Sequence, residues 1–249
     1  MPPPKKVQET DAIFANLNAV HARAAACPTK VLRLSLDAKA AVLIGPFARG
    51  GYSRTGARAA DHDFKPDGVL TPFGLYLVGQ GELELFFTAT KVSSDFIVDL
   101  IEGWWARQRA RFPDVEELIL DLDNGPENSG QRSQFLHRLA QFARAAGVKV
   151  TLAYYPPYHS KYNPVERCWG ALENYWRGEL LDSEAAVLGF AANMRWQGQR
   201  PRVERVTKVY TKGVRRTQAQ KRQTEKYLQR KPGLEKWAIT IPPPPPRTG

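Results

Sequence analysis

Three carboxylates in this 249-residue chain lie at positions that suit a catalytic role better than a role as surface charge. Asp37 ends an alternating strand pattern, Asp123 ends an almost wholly apolar one, and Glu166 lies in the first turn of a helix pattern. If the two strands are neighbours in one sheet, their carboxylates lie side by side and the helix can bring Glu166 over them. Clustered carboxylates repel one another unless cations lie between them, and oxygen-only ligands favour Mg²⁺ or Mn²⁺. Two such ions promote in-line displacement at phosphorus, which is the chemistry this pattern predicts.

Each acid also has a structural interpretation. Asp37 is acceptable as a strand-end turn residue, and the Asp-Asn-Gly sequence at 123–125 is a good turn by itself. Glu166 is the third residue after Asn163, the position of a capping-box carboxylate. The order of the elements, more than any single acid, favours the catalytic interpretation.

Asp121 competes with Asp123 for the second position. The two lie two residues apart on one strand and therefore face the same side. We prefer Asp123 because it lies nearer the C-terminal end of the strand, where sites on such sheets open.

Hydrophobic periodicity predicts the elements that must position these acids. Strand patterns occupy 31–37, 41–47, 74–79, 82–90, 117–123 and 148–155. Helical spacing follows Ser93 or Ser94, covers about 129–146, and begins again at Asn163 and at Ser183. Antiparallel strands that continue into strands alternating with helices predict one mixed α/β sheet with helices on both faces.

Positive charge is concentrated near the C-terminus. Residues 200–249 hold 14 Lys+Arg and 3 Asp+Glu, whereas the rest of the chain holds 22 of each sign. We therefore divide the chain into an N-terminal arm or linker (1–30), a catalytic domain (31–197) and a basic C-terminal tail (198–249). Such a tail favours a nucleic-acid partner, because Lys and Arg displace phosphate counterions; a solubilising tail is the alternative. The candidate DNA-backbone contacts in it are Arg215, Arg216, Lys221 and Arg222.

An aromatic segment precedes the third acid. Tyr154 and Tyr155 finish a strand pattern and should pack in the core. Tyr158, Lys161 and Tyr162 follow in a loop, where rings can stack on bases and the ammonium can meet phosphate. We predict DNA contact for these three, with packing as the alternative.

The sequence excludes several other classes of protein. Two cysteines cannot form a disulfide framework, and no run of 18 apolar residues exists. The Gly-rich stretch GPFARGG lacks the Lys-Ser/Thr ending of a phosphate loop, so ATP use is not indicated. We expect a cytoplasmic protein that does not associate with membranes.

The segments LSLDAKAAVLIG, LILDLDNGPENSG and YYPPYHSKYNPVERCWGALENYW resemble the three acid motifs of DDE transposases in the mariner-like insertion-sequence group. The third segment carries the most specific match. It comprises Pro157, Ser160, Asn163, Pro164, Val165, Glu166 and Trp169. The resemblance covers about residues 31–195. It implies an RNase H-like fold with a mixed five-stranded sheet, and an enzyme that uses two Mg²⁺ or Mn²⁺ ions, held by Asp37, Asp123 and Glu166, to cleave DNA strands and join 3′-hydroxyls to target DNA.

Two departures from the family pattern bear on the partners. The second motif lacks the His that often follows it, and only 36 residues precede Asp37, where relatives carry helix-turn-helix modules. We therefore expect that a separate helix-turn-helix chain recognises the DNA ends and that the protein forms a homodimer. Two alternatives stay open: a catalytically silent DNA-binding remnant or regulator, and an RNase H-like nuclease acting on RNA–DNA hybrids.

Overall fold

The computed structural model describes residues 7–47, 65–211 and 213–245. The α-helices of these residues are α1 (Thr10–Ala26), α2 (Ser94–Gln108), α3 (Ser133–Ala146), α4 (Glu166–Trp176), α5 (Glu184–Asn193) and α6 (Gln218–Glu225). The strands are β1 (Val31–Ala38), β2 (Val42–Ile44), β3 (Gly68–Leu77), β4 (Glu82–Thr88), β5 (Glu117–Leu122), β6 (Lys149–Tyr154), β7 (Arg202–Val206), β8 (Gln229–Arg230) and β9 (Ala238–Ile241). None of the described helices is both long and apolar enough to cross a membrane.

The chain divides into two compact units. Unit 1 comprises Met1–Ser35, Ser93–Asn163 and Tyr210–Gly249, and unit 2 comprises Leu36–Val92 and Pro164–Val209. The boundary falls within β1, so the first part of that strand belongs to unit 1 and its end, with Asp37, to unit 2.

Unit 1 contains the parallel part of the sheet. Its strands follow the order β1-β5-β6-β9-β8, in which β1, β5 and β6 are parallel and β9 runs antiparallel to β6. All six residues of β5 are buried, as expected for a central strand covered on both faces. Helix α3 ends where Gly147 adopts φ +68°, the left-handed conformation predicted for a helix stop.

The N-terminal and C-terminal segments differ from the arm and tail that the sequence suggests. Helix α1 is part of the unit 1 core, where Ile13 and Leu17 pack with Ile119 of β5. Near the other terminus, β9 pairs with β6 and buries Ile239 and Ile241. The surrounding charge conceals this four-residue strand in the sequence, although it lies between β6 and β8 in the sheet of unit 1.

Unit 2 is mainly antiparallel. Its strands follow the order β7-β4-β3, with β2 antiparallel to β3. The strand patterns at 74–79 and 82–90, separated by Gln80 and Gly81, predict a hairpin with a two-residue turn, and β3 and β4 do form a hairpin. Leu77 pairs with Glu82, however, so the turn has four residues. The side chains of Trp169, Leu172 and Trp176 on α4 join the apolar core of this unit.

The predicted fold class is confirmed as a mixed α/β fold flanked by helices. The described residues form a sheet of nine strands rather than five. Beyond the six strand patterns found in the sequence, the structure adds β7, β8 and β9, which are two to five residues long and lie among charged residues and loops. Both helix starts predicted from serine are also present, because Ser93 and Ser183 each accept a hydrogen bond from a backbone N–H in the first turn of α2 and α5.

Candidate active site

Asp37 is held by a tryptophan of α4. The carboxylate is 8 % exposed, and its Oδ2 accepts a hydrogen bond from Trp169 Nε1 at 2.8 Å. Two residues further along the chain, Lys39 Nζ lies 2.7 Å from Glu173 Oε1, also on α4. These two contacts fix α4 against the end of β1 within unit 2.

Glu166 shares the helical face that makes these contacts. It is the first residue of α4, and Trp169 and Glu173 follow it by three and seven residues, so the three side chains project from one face. Glu166 is half-buried, and its carboxylate has no hydrogen-bond or ion-pair partner among the described residues. The structure thus brings the first and third acid motifs together in unit 2.

A glycine permits the close approach of α4 to the sheet. A Cβ added to Gly74 in the middle of β3 would lie 2.7 Å from Val165 Cγ2 and 2.8 Å from Trp169 Cη2. Any side chain at this position would therefore push back the start of α4. Gly74 is a determinant of the site that the sequence offered no signal to find.

The capping-box interpretation of Glu166 does not hold. Helix α4 begins at Glu166, its N-cap is Val165, and no side-chain capping bond is present. Asn163, the cap predicted from sequence, is fully buried and accepts a hydrogen bond from Ser35 Oγ on β1 at 2.5 Å. Since Asn163 is engaged by the strand, the helix starts three residues later and leaves Glu166 available.

Asp123 lies immediately after β5 in unit 1. Its Oδ1 accepts hydrogen bonds from the backbone N–H of Gly125 at 3.1 Å and from Asn128 Nδ2 at 2.9 Å. The turn conformation predicted for this sequence is present, since Asn124 has φ +61°. The turn interpretation and the catalytic interpretation of Asp123 are therefore compatible, because the turn itself orients the carboxylate.

Asp121, the competitor, is part of the core of unit 1. It is completely buried, with Oδ2 2.6 Å from Arg33 Nε and Oδ1 2.8 Å from His21 Nε2. A carboxylate already bound to a guanidinium and an imidazole is not available to a metal ion. The preference for Asp123 agrees with this arrangement.

No preformed metal centre is seen among residues 7–47, 65–211 and 213–245, where no three His, Cys, Asp or Glu side chains form a group that could hold an ion. The joint metal site of Asp37, Asp123 and Glu166 therefore stays a prediction. Cys168, beside Trp169, is buried, and burial raises the pKa of its thiol to about 12. It is protonated at neutral pH and packs in the core rather than acting as a nucleophile.

The aromatic segment separates into core and surface as predicted. Tyr154 and Tyr155 are buried, whereas Tyr158 is 71 % exposed and Tyr162 is 49 % exposed. Tyr158 has φ +65°, an uncommon conformation for a non-glycine residue. Lys161 Nζ lies 5.3 Å from the centre of the Tyr162 ring.

The four basic residues that we predict to contact DNA lie within α6 or just before it, in unit 1. Arg215, Lys221 and Arg222 are exposed, whereas Arg216 is half-buried and donates to Gln134 Oε1 on α3 at 3.1 Å. Burial and the nearby guanidinium of Arg216 lower the pKa of His137. The packing of α6 on α3 turns this part of the supposed tail into an ordered cationic surface, which we call the α6 surface.

Comparisons with known proteins agree with this fold. Solved structures of Mos1 are similar: the mariner paired end complex with Mn has 11 % sequence identity and a TM-score of 0.51, and covers 75 % of this chain and 54 % of that chain. The paired-end complex of Mos1 transposase with the left transposon end has 12 % identity and a TM-score of 0.49, with 75 % and 54 % covered. This chain therefore spans about half the length of the Mos1 chains. At this identity, the first match shows a shared RNase H-like fold.

Curated protein sequences contain no match to this chain. A family model, the Rhodopirellula transposase DDE domain, matches residues 2–243, which is nearly the whole sequence. The chain belongs to this family of transposase DDE domains.

Proposed function

We propose that this chain is the catalytic domain of a DDE transposase that cleaves DNA strands with divalent metal ions and joins their 3′-hydroxyls to target DNA. The observation that carries the proposal is the hydrogen bond from Trp169 to Asp37. It joins the tryptophan of the third acid motif to the acid of the first, 132 residues away. The motif resemblance thus corresponds to a physical contact.

The residues around the proposed ligands suit a divalent cation. The three ligand side chains are all carboxylates, which are the donors that Mg²⁺ and Mn²⁺ prefer. Beside Asp123, the side-chain oxygen of Asn128 is buried and has no hydrogen-bond partner in the described part of the chain. Gly125 lies next to these atoms, since a Cβ at this position would be 3.3 Å from both carboxylate oxygens of Asp123 and 3.4 Å from Asn128 Oδ1. Three side-chain oxygens therefore lie close together beside Gly125.

Each proposed ligand has a distinct support. The β1 strand and Trp169 fix Asp37, the first turn of α4 presents Glu166, and the turn after β5 orients Asp123. Two bound ions would supply activation of the attacking oxygen and stabilisation of the leaving oxygen. The protein's own task is to hold three carboxylates in place and to orient the DNA strand.

We assign the DNA contacts to two surfaces of unit 1. The exposed rings of Tyr158 and Tyr162 can stack on bases, with Lys161 placed to meet a phosphate. The α6 surface, with Arg215, Arg216, Lys221 and Arg222, can follow the DNA backbone without reading its sequence. The similar Mos1 structure is a mariner paired end complex, which favours DNA ends as the partner here as well.

The proposal includes the assembly expected from the sequence. A separate helix-turn-helix chain would recognise the DNA ends, and two copies of this chain would act as a homodimer. Size-exclusion chromatography with light scattering, with and without DNA, measures the number of copies. We also propose a cytoplasmic location, as expected for a chain with two cysteines, no disulfide framework and no run of 18 apolar residues.

Relaxation of supercoiled plasmid DNA in the presence of Mg²⁺ or Mn²⁺ tests the proposal. The wild-type protein should nick the plasmid, and Asp37→Asn, Asp123→Asn and Glu166→Gln should each abolish nicking while leaving the circular dichroism spectrum unchanged. Asp114→Asn and Glu179→Gln, which remove acids outside the three motifs, are the matched controls and should retain activity. A protein that binds the plasmid but never nicks it would be a silent remnant, and preference for the RNA strand of a hybrid would indicate a nuclease.

A further inference from the structure

Two donors converge on the same oxygen of Asp123. The Gly125 N–H and the Asn128 amide both donate to Oδ1, at 3.1 and 2.9 Å. For Oδ2, no hydrogen-bond or ion-pair partner is present among the residues described. A carboxylate held through one oxygen presents the other in a fixed direction.

Asn128 is itself fixed from its backbone. Its carbonyl accepts a hydrogen bond from the hydroxyl of the buried Tyr154 at 2.6 Å, and its N–H donates to the carbonyl of Gly125 at 3.3 Å. The residue is 8 % exposed, so its side chain has little freedom to turn away from Asp123. These contacts make the amide a rigid support.

The other end of this amide is unsatisfied. Asn128 Oδ1 is buried and has no hydrogen-bond partner in the described chain. Burying an amide oxygen without a partner is unfavourable, because its hydrogen bonds to water are lost. An added Cβ on Gly125 would lie 3.4 Å from this oxygen and 3.3 Å from both oxygens of Asp123, so all three face the same small space.

We propose that Asn128 is a positioning residue for the divalent cation bound by Asp123. Its Nδ2 holds Oδ1 of the carboxylate and leaves Oδ2 as the oxygen that would bind the cation, and its own Oδ1 would accept a hydrogen bond from a water molecule of the hydrated cation. Residues that orient metal ligands commonly affect metal affinity by about 10- to 100-fold. The inference rests on the proposed role of Asp123 and adds the residue that sets its geometry.

Mn²⁺ titration of the full chain, followed by electron paramagnetic resonance of the free ion, tests this inference without any need for activity. We expect Asn128→Ala to weaken the Asp123-dependent binding of Mn²⁺ by about 10- to 100-fold. Gly125→Ala, which keeps the amide but places a methyl group in the shared space, should also weaken it. Gln134→Ala is the matched control, because Gln134 is a buried amide that donates to the carboxylate of Asp95 at 2.8 Å, away from Asp123.

The variants separate failure of this inference from failure of the proposed function. Asp123→Asn should lose the Mn²⁺ site. If Asp123→Asn loses it while Asn128→Ala binds within about twofold of wild type and merely lowers Tm as Gln134→Ala does, the positioning role is wrong and the metal role of Asp123 stands. If Asp123→Asn binds Mn²⁺ as wild type does, both proposals are wrong.

Discussion

Trp169 Nε1 donates a hydrogen bond to Asp37 Oδ2 at 2.8 Å, and both side chains are largely buried. The bond connects the end of β1 with the first turns of α4. Because Glu166 lies one turn before Trp169 on the same face of α4, the bond also fixes where Glu166 is presented. The indole N–H therefore contributes to the geometry of two proposed metal ligands, together with the Lys39–Glu173 ion pair.

We predict that Trp169→Phe lowers metal-dependent cleavage and reduces the free energy of unfolding by about 2 kcal/mol, because it removes a buried hydrogen bond to a charged group. Chemical denaturation and plasmid nicking measure the two effects. Trp176→Phe is the matched control: its indole donates to the backbone carbonyl of Val187 at 3.3 Å, away from the acids. It should cost stability but not activity. Equal losses of activity in the two variants would show that the Asp37 bond has no special role.

Variants of Asp121 and Asp123 should differ in their effects: one should lower stability, and the other should abolish cleavage. Asp121→Asn removes the buried carboxylate that pairs with the half-buried guanidinium of Arg33, and we expect it to lower the free energy of unfolding by about 1–3 kcal/mol. Cleavage per folded molecule should survive. Asp123→Asn should unfold at nearly the wild-type Tm but should not cleave. The opposite pattern, with a stable but inactive Asp121→Asn, would transfer the catalytic role to Asp121.

Much of this arrangement could be predicted from the sequence, because it depends on local patterns. The strand before Asp37, the apolar strand before Asp123 and the Asn-Pro start before Glu166 each left a periodic or turn signal. Those signals correctly gave the order of the elements and the mixed sheet.

The contacts between elements could not be predicted in the same way. Nothing in the sequence around Trp169 indicates that its indole meets Asp37, and nothing around Gly74 indicates that α4 approaches it closely. Asn163 looked like a helix cap, yet Ser35 of β1 binds its side chain. Contacts of this kind depend on tertiary packing, and a local sequence pattern carries no information about it.

The C-terminal segment should prove essential to the fold. Ile241 of β9 is fully buried beside β6, and we predict that Ile241→Ala lowers the free energy of unfolding by about 3 kcal/mol. Val214→Ala, at a position 50 % exposed, should change it by less than about 0.5 kcal/mol. Urea denaturation measures both. A fully stable protein ending at residue 199 would contradict the assignment of β9 to the sheet.

The α6 surface should dominate non-specific DNA affinity. Replacing Arg215, Lys221 and Arg222 by Gln should reduce the magnitude of the slope of log K against log salt by about 2.7, at about 0.9 for each phosphate that the protein no longer neutralises. Fluorescence anisotropy between about 50 and about 200 mM salt measures this slope. The triple Gln variant of Arg107, Arg109 and Arg111 removes the same charge at the end of α2 and serves as the control. If the slope changes equally in the two variants, net charge alone explains the effect and the α6 surface has no special role.

Anomalous diffraction from crystals grown with Mn²⁺ tests the central claim most directly, because it locates the ions themselves. We predict two peaks about 3.5–4 Å apart, bound by the carboxylates of Asp37, Asp123 and Glu166. Crystals of Asp123→Asn should lose at least one of the two peaks. Manganese bound elsewhere on the protein, with none of the three carboxylates as a ligand, would contradict the account.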